Sequence, residues 1–543
     1  MERVSTALSA AGTVSPSVLR CRTLAPYVPL RAKCSESVPV TDRSVGKPSA
    51  LLTEFRNQPF VTSFIWRDIM AAAINATELE QRQKKQRKDT TRDMTVGKPM
   101  TLILNFSIPL LFGLLFQQFY SLVDTVIVGK CIDVNALAAV GSTGSVNFLI
   151  IGFCMGVCSG FAIPVAQRFG AGDYAGLRKM IYNSAWLSVI FAVVMTFFVA
   201  IYCNQIMTLM RTPTDIYDQA YRYIYIIFLG IPVTYLYNLL SGIIRSLGDS
   251  KTPVIFLVLA SLINIVLDLL FILVLGMNVE GAAYATVISQ FISGILCLFY
   301  MIRKFPILRP ESKHEWAFDS HCAKILCNMG IPMGLQYSIT AIGSVILQTA
   351  VNTLGSAAVA AVTAGNKLGF FLVCPFDAMG STMATYGGQN VGARKLDRIK
   401  SGLASCTLLG VIYSVFALVV IVLFGKKMLL LFLNADEVKI LADAYQFLVI
   451  NACFYIPLAL VNIVRFLIQG MGYSKFAMLA GVCEMIARAI VGFWFVPACG
   501  FIAIGFASPA AWICADAFLI PAFFIVFKKT QKMFTIQTNQ NLL

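Results

Sequence analysis

Gln167-Arg168-Phe169-Gly170-Ala171 returns in changed form as Gln389-Asn390-Val391-Gly392-Ala393, 222 residues later (389 − 167), and no other feature limits the possible folds so strongly. Ala138-Ala139-Val140 and Ala360-Ala361-Val362 keep the same offset. Ile108-Pro109 with Ile331-Pro332, and Leu247-Gly248-Asp249-Ser250-Lys251 with Met471-Gly472-Tyr473-Ser474-Lys475, depart from it by one or two residues. A nearly constant offset marks a duplicated unit with small changes in its loops, so the two halves are expected to share one architecture. In a membrane chain, two parallel halves can open a site at their interface to either side.

The composition places the chain in a membrane. Of 543 residues 58% are hydrophobic and only 13% charged, and the mean hydropathy is +0.75. These values exclude an ordinary soluble globule and call for many spans. The net charge of +16 does not point to nucleic acid, because the basic residues lie in short connections between apolar runs rather than on one patch. The expected surroundings are membrane lipids. Most of the fifteen cysteines, among them Cys154, Cys158, Cys297, Cys374 and Cys483, sit inside apolar runs and are read as packing residues. His321 with Cys322 and Cys327 fits no usual zinc spacing, and His314 is the one other histidine, so neither metal nor cofactor is expected.

From Met94 onward twelve apolar spans follow, each about twenty residues or more, the length that crosses about 30 Å of hydrocarbon. The predicted fold class is an all-α integral membrane protein of twelve transmembrane helices in two six-helix lobes related by a pseudo-twofold. The lobes are expected over 94–304 and 321–530, with a connection over 305–320 and a tail over 531–543. Spans four and ten are expected as single spans over 217–246 and 440–470. Residues 1–93 lack a long apolar run, and their reading is a disordered extension or upstream translation before a start at Met94. A transit peptide is the other reading, without an amphipathic pattern or cleavage site to support it.

Arg168, Arg178, Lys179, Arg245, Lys251, Arg303, Lys304, Arg309, Lys313, Arg394, Lys395, Arg398, Lys400, Lys528 and Lys529 all fall on one side of these spans. The excess of basic residues predicts that this side, with both termini, is cytoplasmic and that the chain lies in the plasma membrane as a monomer.

An ionisable side chain inside a span costs about 2.5 to 3.5 kcal/mol on insertion scales, so each one needs a reason. Asp124 in span 1, Asn264 and Asp268 in span 5 and Thr286 in span 6 fall at one depth, in the half of the membrane away from the basic loops. Two carboxyl groups at one level can form a coupled site that takes up and releases a proton. Pro109 lies fifteen residues (124 − 109) before Asp124 and leaves the Asn105 carbonyl without its helical partner, which gives span 1 a place to bend. The second half has no acid opposite Asp124, since its corresponding stretch contains Gln348 and Asn352 instead. Those two residues are grouped with Asp377 as a tentative substrate cavity, although Asp377 could equally bond backbone freed by Pro375. Glu484 and Arg488, four apart on one helical face, are expected to form an internal ion pair, while Asp516 has no assigned partner.

Across about residues 98 to 530 the chain resembles the multidrug and toxic compound extrusion (MATE) transporters. The likeness rests on Leu122-Val123-Asp124-Thr125 with Val128-Gly129, the two Gln-x-x-Gly-Ala span ends, Arg245 to Asp249, Asn264 to Asp268, and Gly281 to Thr286. Within that family it looks most like the bacterial DinF/MepA-like branch. The resemblance implies two lobes around a central cleft. It also implies a first-lobe network of Asp124, Asn264, Asp268 and Thr286 for the coupling cation, with a helix-1 bend at Pro109. Span 7 contains no carboxylate, which favours H+ over Na+ as coupling ion. The expected function is export of small organic cations by alternating access. A lipid-linked sugar flippase of the same superfamily and a membrane-embedded enzyme are the alternatives.

Overall fold

The computed structural model of this chain describes residues 93–210, 212–433 and 436–540, so the expectation for the N-terminal segment lies, apart from Asp93, outside the described residues. Seven helices of the first half are α1 (Pro99–Cys131), α2 (Val134–Ala171), α3 (Tyr174–Ile201), α4 (Tyr217–Leu229), α5 (Ile231–Ser246), α6 (Lys251–Leu269) and α7 (Val279–Lys304). They recur in order as α8 (Ser320–Asn352), α9 (Ser356–Gly392), α10 (Leu396–Leu429), α11 (Val438–Cys453), α12 (Tyr455–Gly470), α13 (Ser474–Ile490) and α14 (Phe501–Gln540). Among the described residues ten helices are long and apolar enough to cross a membrane, and two bent pairs bring the number to twelve. Helices are the natural solution here, since a spanning segment must satisfy every backbone group internally.

The bent pairs fall where spans four and ten were expected, and each such span carries a break. Residues 217–246 are two helices, α4 and α5, meeting at 47°, and residues 440–470 belong to α11 and α12, meeting at 52°. Pro232 and Pro457 stand in the first turn of α5 and of α12. A proline there offers no N–H to the carbonyl four residues back, and its ring pushes that turn aside. The duplication has thus kept the break as well as the span.

Local signals set the corners. Asp133 caps α2 by accepting from the Ala136 N–H, and Asp173 caps α3 by accepting from Gly176 N–H at 2.9 Å. Between α2 and α3 the chain turns through Gly172 at φ +70°. The same corner in the second half carries Arg394 at φ +58°, the one non-glycine residue with positive φ among those described. The backbone shape has outlasted the glycine that suits it, at a cost of about 1 to 2 kcal/mol.

Among the described residues the two largest apolar clusters each belong mainly to one half, but α1 belongs to both. Ile127 and Val128 at its far end pack in the first core, whereas Ile103, Phe106 and Leu110, together with Met94, pack in the second. Pro109 lies within the section that packs in the second core, since Leu110 follows it, and α1 runs through it without a break. Helix α8 likewise reaches across to α2, where a Cβ added at Gly160 would meet the Gly330 Cα at 2.5 Å.

The halves are joined at the end that carries the basic loops. There Gly170 lies against the backbone carbonyl of Gln389, and Gly392 against that of Gln167, so close that no side chain fits at either glycine. The two glutamine side chains cross between halves. Gln167 Nε2 donates to the Gly470 carbonyl at the end of α12 (2.9 Å), and Gln389 Nε2 donates to the Ser246 carbonyl at the end of α5 (2.8 Å). Gln389 Oε1 also accepts from the Met94 N–H at 2.8 Å. Arg398 and Lys395 hold the carbonyls of Met94, Thr95 and Gly97, which ties the approach to α1 to the second half.

Toward the opposite end the same helices part. Contact between α2 and α8 is marked by the Ser338 hydroxyl donating to the Leu149 carbonyl at 3.1 Å. Before that point Gly141 and Gly144 face open space, and Phe148, Ile342 and Val345 are exposed. The structure is closed at the basic end and open at the other.

Candidate functional site

Three helices bring the first-half polar residues together. Asp124 is seven residues from the end of α1 (131 − 124), and Thr286 is seven residues into α7 (286 − 279). Asp268 stands six residues before Val274, where the π-helical turn that extends α6 ends. Each lies about 10 Å from the open end. Asp268 and Asn264 are fully buried on one face of α6, and Asn264 Nδ2 reaches Thr286 Oγ1 at 3.5 Å. Gly113 lets α1 approach α6 closely, since a Cβ there would meet Val254 Cγ2 at 2.9 Å.

The carboxyl groups of Asp124 and Asp268 face each other within reach of a shared proton. Asp124 Oδ1, Asn264 Oδ1 and both carboxyl oxygens of Asp268 are buried without a hydrogen-bond partner among the described residues. Buried oxygens left open are costly unless something positive occupies the space between them. A proton shared by the pair, or a small cation held by the four oxygens, would satisfy them. Tyr120 and Tyr223 lie in the same electrostatic surroundings, and sequence reasoning did not single them out. Tyr120 is four residues before Asp124 on α1, which was the available signal.

The second half is arranged differently. Glu484 is buried between two guanidinium groups, with Arg465 of α12 as its close partner and Arg488 Nη2 at 3.8 Å from its second oxygen. The ion pair expected between Glu484 and Arg488 is therefore one arm of a bridge. Arg465 escaped sequence reasoning because it comes from another helix, at a spacing that no helical period relates to Glu484. Asp516 of α14 is buried near Arg465 but forms no ion pair with it, and its Oδ1 has no hydrogen-bond partner among the described residues. Gln469 Nε2 donates to Gln336 Oε1 at 2.5 Å, which links α12 to α8.

Asp377 is open to solvent although protein surrounds it closely, the situation of a side chain that lines a deep cleft. Tyr337 and Arg465 are its electrostatic neighbours. Gln348 and Asn352 do not join it. They bond to each other at 2.9 Å on an exposed face at the far end of α8. Asp377 is twenty-one residues along α9 (377 − 356), about 30 Å from that end, whereas Gln348 is only about 6 Å from it. The expected grouping of these three residues is corrected by their depth.

Comparison with known proteins agrees with this geometry. The MatE family model matches residues 109–270 and again 332–494. The two matches begin 223 residues apart (332 − 109), so they are the duplication itself, and together they cover more than half of the chain.

The chain belongs to the MatE family.

Two curated relatives of this MatE protein are bacterial. A probable multidrug resistance protein, YpnP of Bacillus subtilis, is 29% identical over 408 residues, which are 74% of this chain and 87% of the relative. The DNA damage-inducible protein F of Escherichia coli is 26% identical, over 68% of this chain and 79% of the relative. Both support the DinF/MepA-like branch. Among solved structures, an outward-facing multidrug resistance MATE family transporter superimposes with a TM-score of 0.75 at 22% identity, over 82% of this chain and 99% of that one. At that identity the likeness shows the fold. Members of the MatE family are membrane transporters and not enzymes, which sets the membrane-enzyme alternative aside.

Proposed function

We propose that this MatE transporter exports small organic cations across the plasma membrane in exchange for incoming protons, with the basic end cytoplasmic. The observation that carries the reading is the pair of facing carboxyl groups, Asp124 and Asp268, three of whose four oxygens are buried without partners. In the present state the pair lies near the open end, where a proton can arrive from outside. Once neutral, the pair loses its mutual repulsion and the three helices can repack around it. A cation can move the balance between facing states only by its difference in affinity for them, and the charge of this pair supplies such a difference. Asn264 and Thr286 orient the site, and the Pro109 section of α1 is the place where the helix can bend between its two anchored ends. Asp377, on the cleft wall, is the group for the cationic end of the substrate. The names of the relatives, which refer to multidrug resistance, support the substrate class.

Sodium is the second reading, and a specific observation favours it: four unpartnered oxygens from Asp124, Asn264 and Asp268 make an all-oxygen set suited to a hard cation. One experiment separates the two. In reconstituted vesicles, efflux of a fluorescent organic cation is followed with a proton gradient or a sodium gradient imposed alone. The proton reading requires export with the proton gradient alone and its loss in Asp124→Asn. Export driven by neither gradient would refute exchange altogether.

A further inference from the structure

The connection between the halves is a fixed strap. It leaves α7 at Lys304, enters α8 at Ser320, and is held against α3 by four side chains in succession. Arg178 donates from Nε and Nη2 to Glu315 at 2.8 and 3.0 Å, pairs with Glu311 at 3.0 Å and reaches the Ile307 carbonyl. Tyr182 donates to the Leu308 carbonyl at 3.0 Å, and its ring stacks on that of Trp316 at 4.6 Å. Asn183 donates to the Ala317 carbonyl at 3.4 Å and accepts from the Asp319 N–H at 2.8 Å. The Trp186 indole N–H donates to the Trp316 carbonyl at 3.2 Å. Donors and acceptors matched at this many points give the strap one shape.

That shape leaves a space beside it. Trp186 and Ile190 of α3, with Trp316, Ala317 and Phe318 of the strap, line an open cavity of about 400 Å³. The wall is apolar, and the one indole N–H that α3 contributes to it is already spent on the strap. Trp186, Trp316 and Phe318 are each about half exposed. Half-exposed aromatic rings where spans leave the membrane have the character of an interfacial belt, with hydrocarbon on one side and headgroups on the other. Water gains little against such a wall, whereas a lipid chain fills it without losing hydrogen bonds.

Charge around the strap selects among lipids. Its acids are used internally: Glu311 and Glu315 face Arg178, and Asp319 accepts from the His321 N–H at 2.8 Å. Lys179 and Arg309 form no ion pair among the described residues. Lys179 stands seven residues before Trp186 (186 − 179), on the same face of α3 and toward the basic end. Arg309 is exposed and follows Leu308, whose carbonyl is held by the tyrosine that stacks on Trp316. The loop side of the cavity is therefore positive, and basic pockets at a membrane surface hold anionic headgroups.

We propose that this cavity binds an anionic phospholipid of the leaflet at the basic end, with an acyl chain against Trp186, Trp316 and Phe318 and its headgroup toward Lys179 and Arg309. Since the strap joins α7 of the first half to α8 of the second, the lipid braces the joint between the halves.

Tryptophan fluorescence tests the site. In the full chain with Trp66→Phe and Trp494→Phe, Trp186 and Trp316 are the half-exposed indoles, whereas Trp512 is buried. The protein is reconstituted in mixed vesicles in which either phosphatidylglycerol or phosphatidylcholine carries brominated chains, and quenching gives the relative occupancy of the two lipids. Phosphatidylglycerol is expected to be favoured about fivefold for each basic side chain that meets its headgroup, the equivalent of about 1 kcal/mol apiece. Salt at about 1 M should reduce that preference, because the charges are exposed. Arg309→Gln should lower it about fivefold. Ala317→Phe fills the cavity and should bring quenching by phosphatidylglycerol down to that by phosphatidylcholine. Equal quenching by the two lipids, before either of these last substitutions is made, overturns the anionic lipid. Quenching by neither would mean that protein covers this face, and it overturns a lipid site altogether.

Discussion

The crossed glutamines at the basic end can be tested by removing their amides while keeping their size. Gln167→Met with Gln389→Met eliminates three hydrogen bonds between the first half or its approach segment and the second half: to Gly470 O, to Ser246 O and from Met94 N. Each is worth about 1 kcal/mol net, so the closed state should lose about 3 kcal/mol. If the bonds exist only while the basic end is closed, the balance between facing states shifts by about 150-fold, because about 1.4 kcal/mol is a factor of ten. Ala175 and Asp397 are exposed and equivalent by the 222-residue offset (397 − 175), one at the basic end of α3 and the other at that of α10. Spin labels at these positions, on a background without exposed cysteines, report the separation of the halves by electron–electron resonance. A longer distance should dominate in the double variant. A distribution unchanged from the unsubstituted protein would mean that the amide bonds persist in both states or add nothing, and the lock would be refuted.

Four further outcomes follow from the geometry. Asp268→Asn, like Asp124→Asn, should abolish proton-driven efflux while the protein still binds the organic cation, measured by equilibrium dialysis; retained proton-driven transport would remove the pair from the coupling site. Glu484→Gln takes the counter-charge from two buried guanidinium groups and should cost about 3 to 5 kcal/mol, seen as a marked fall in Tm in detergent. Arg178→Ala should leave Glu315 buried without its bonds from Nε and Nη2, at 2.8 and 3.0 Å, and speed chymotryptic cleavage after Trp316. Pro109→Ala restores the hydrogen bond to the Asn105 carbonyl and should slow transport without weakening substrate binding; an unchanged turnover would take the hinge away from Pro109.

The first-half site was readable because an ionisable group inside a span is expensive. Asp124, Asn264, Asp268 and Thr286 stood out from apolar surroundings, and counting residues along each span gave their depth. Arg465 was not readable as the partner of Glu484, since pairing between helices follows no sequence period. Gln348, Asn352 and Asp377 were grouped because they are polar residues of one half, and only the placement of α8 against α9 separated them by depth. Tyr120 and Tyr223 were hidden among many aromatic residues that simply pack.

The sequence by itself determined that this chain spans a membrane, that it does so in two copies of one pattern, and that the copies differ in their buried charges. Those properties follow from hydropathy, period and the energetic cost of charge in hydrocarbon, all of which are local. Tertiary structure decided what the repeated Gln-x-x-Gly-Ala ends do. Each glutamine bonds the other half, and each glycine admits the other half's backbone, because the pseudo-twofold brings residues 222 apart into contact. It also decided that α1 divides its packing between two cores, with Ile103, Phe106 and Leu110 in one and Ile127 and Val128 in the other. No local pattern encodes such contacts, since they depend on how two similar bundles dock.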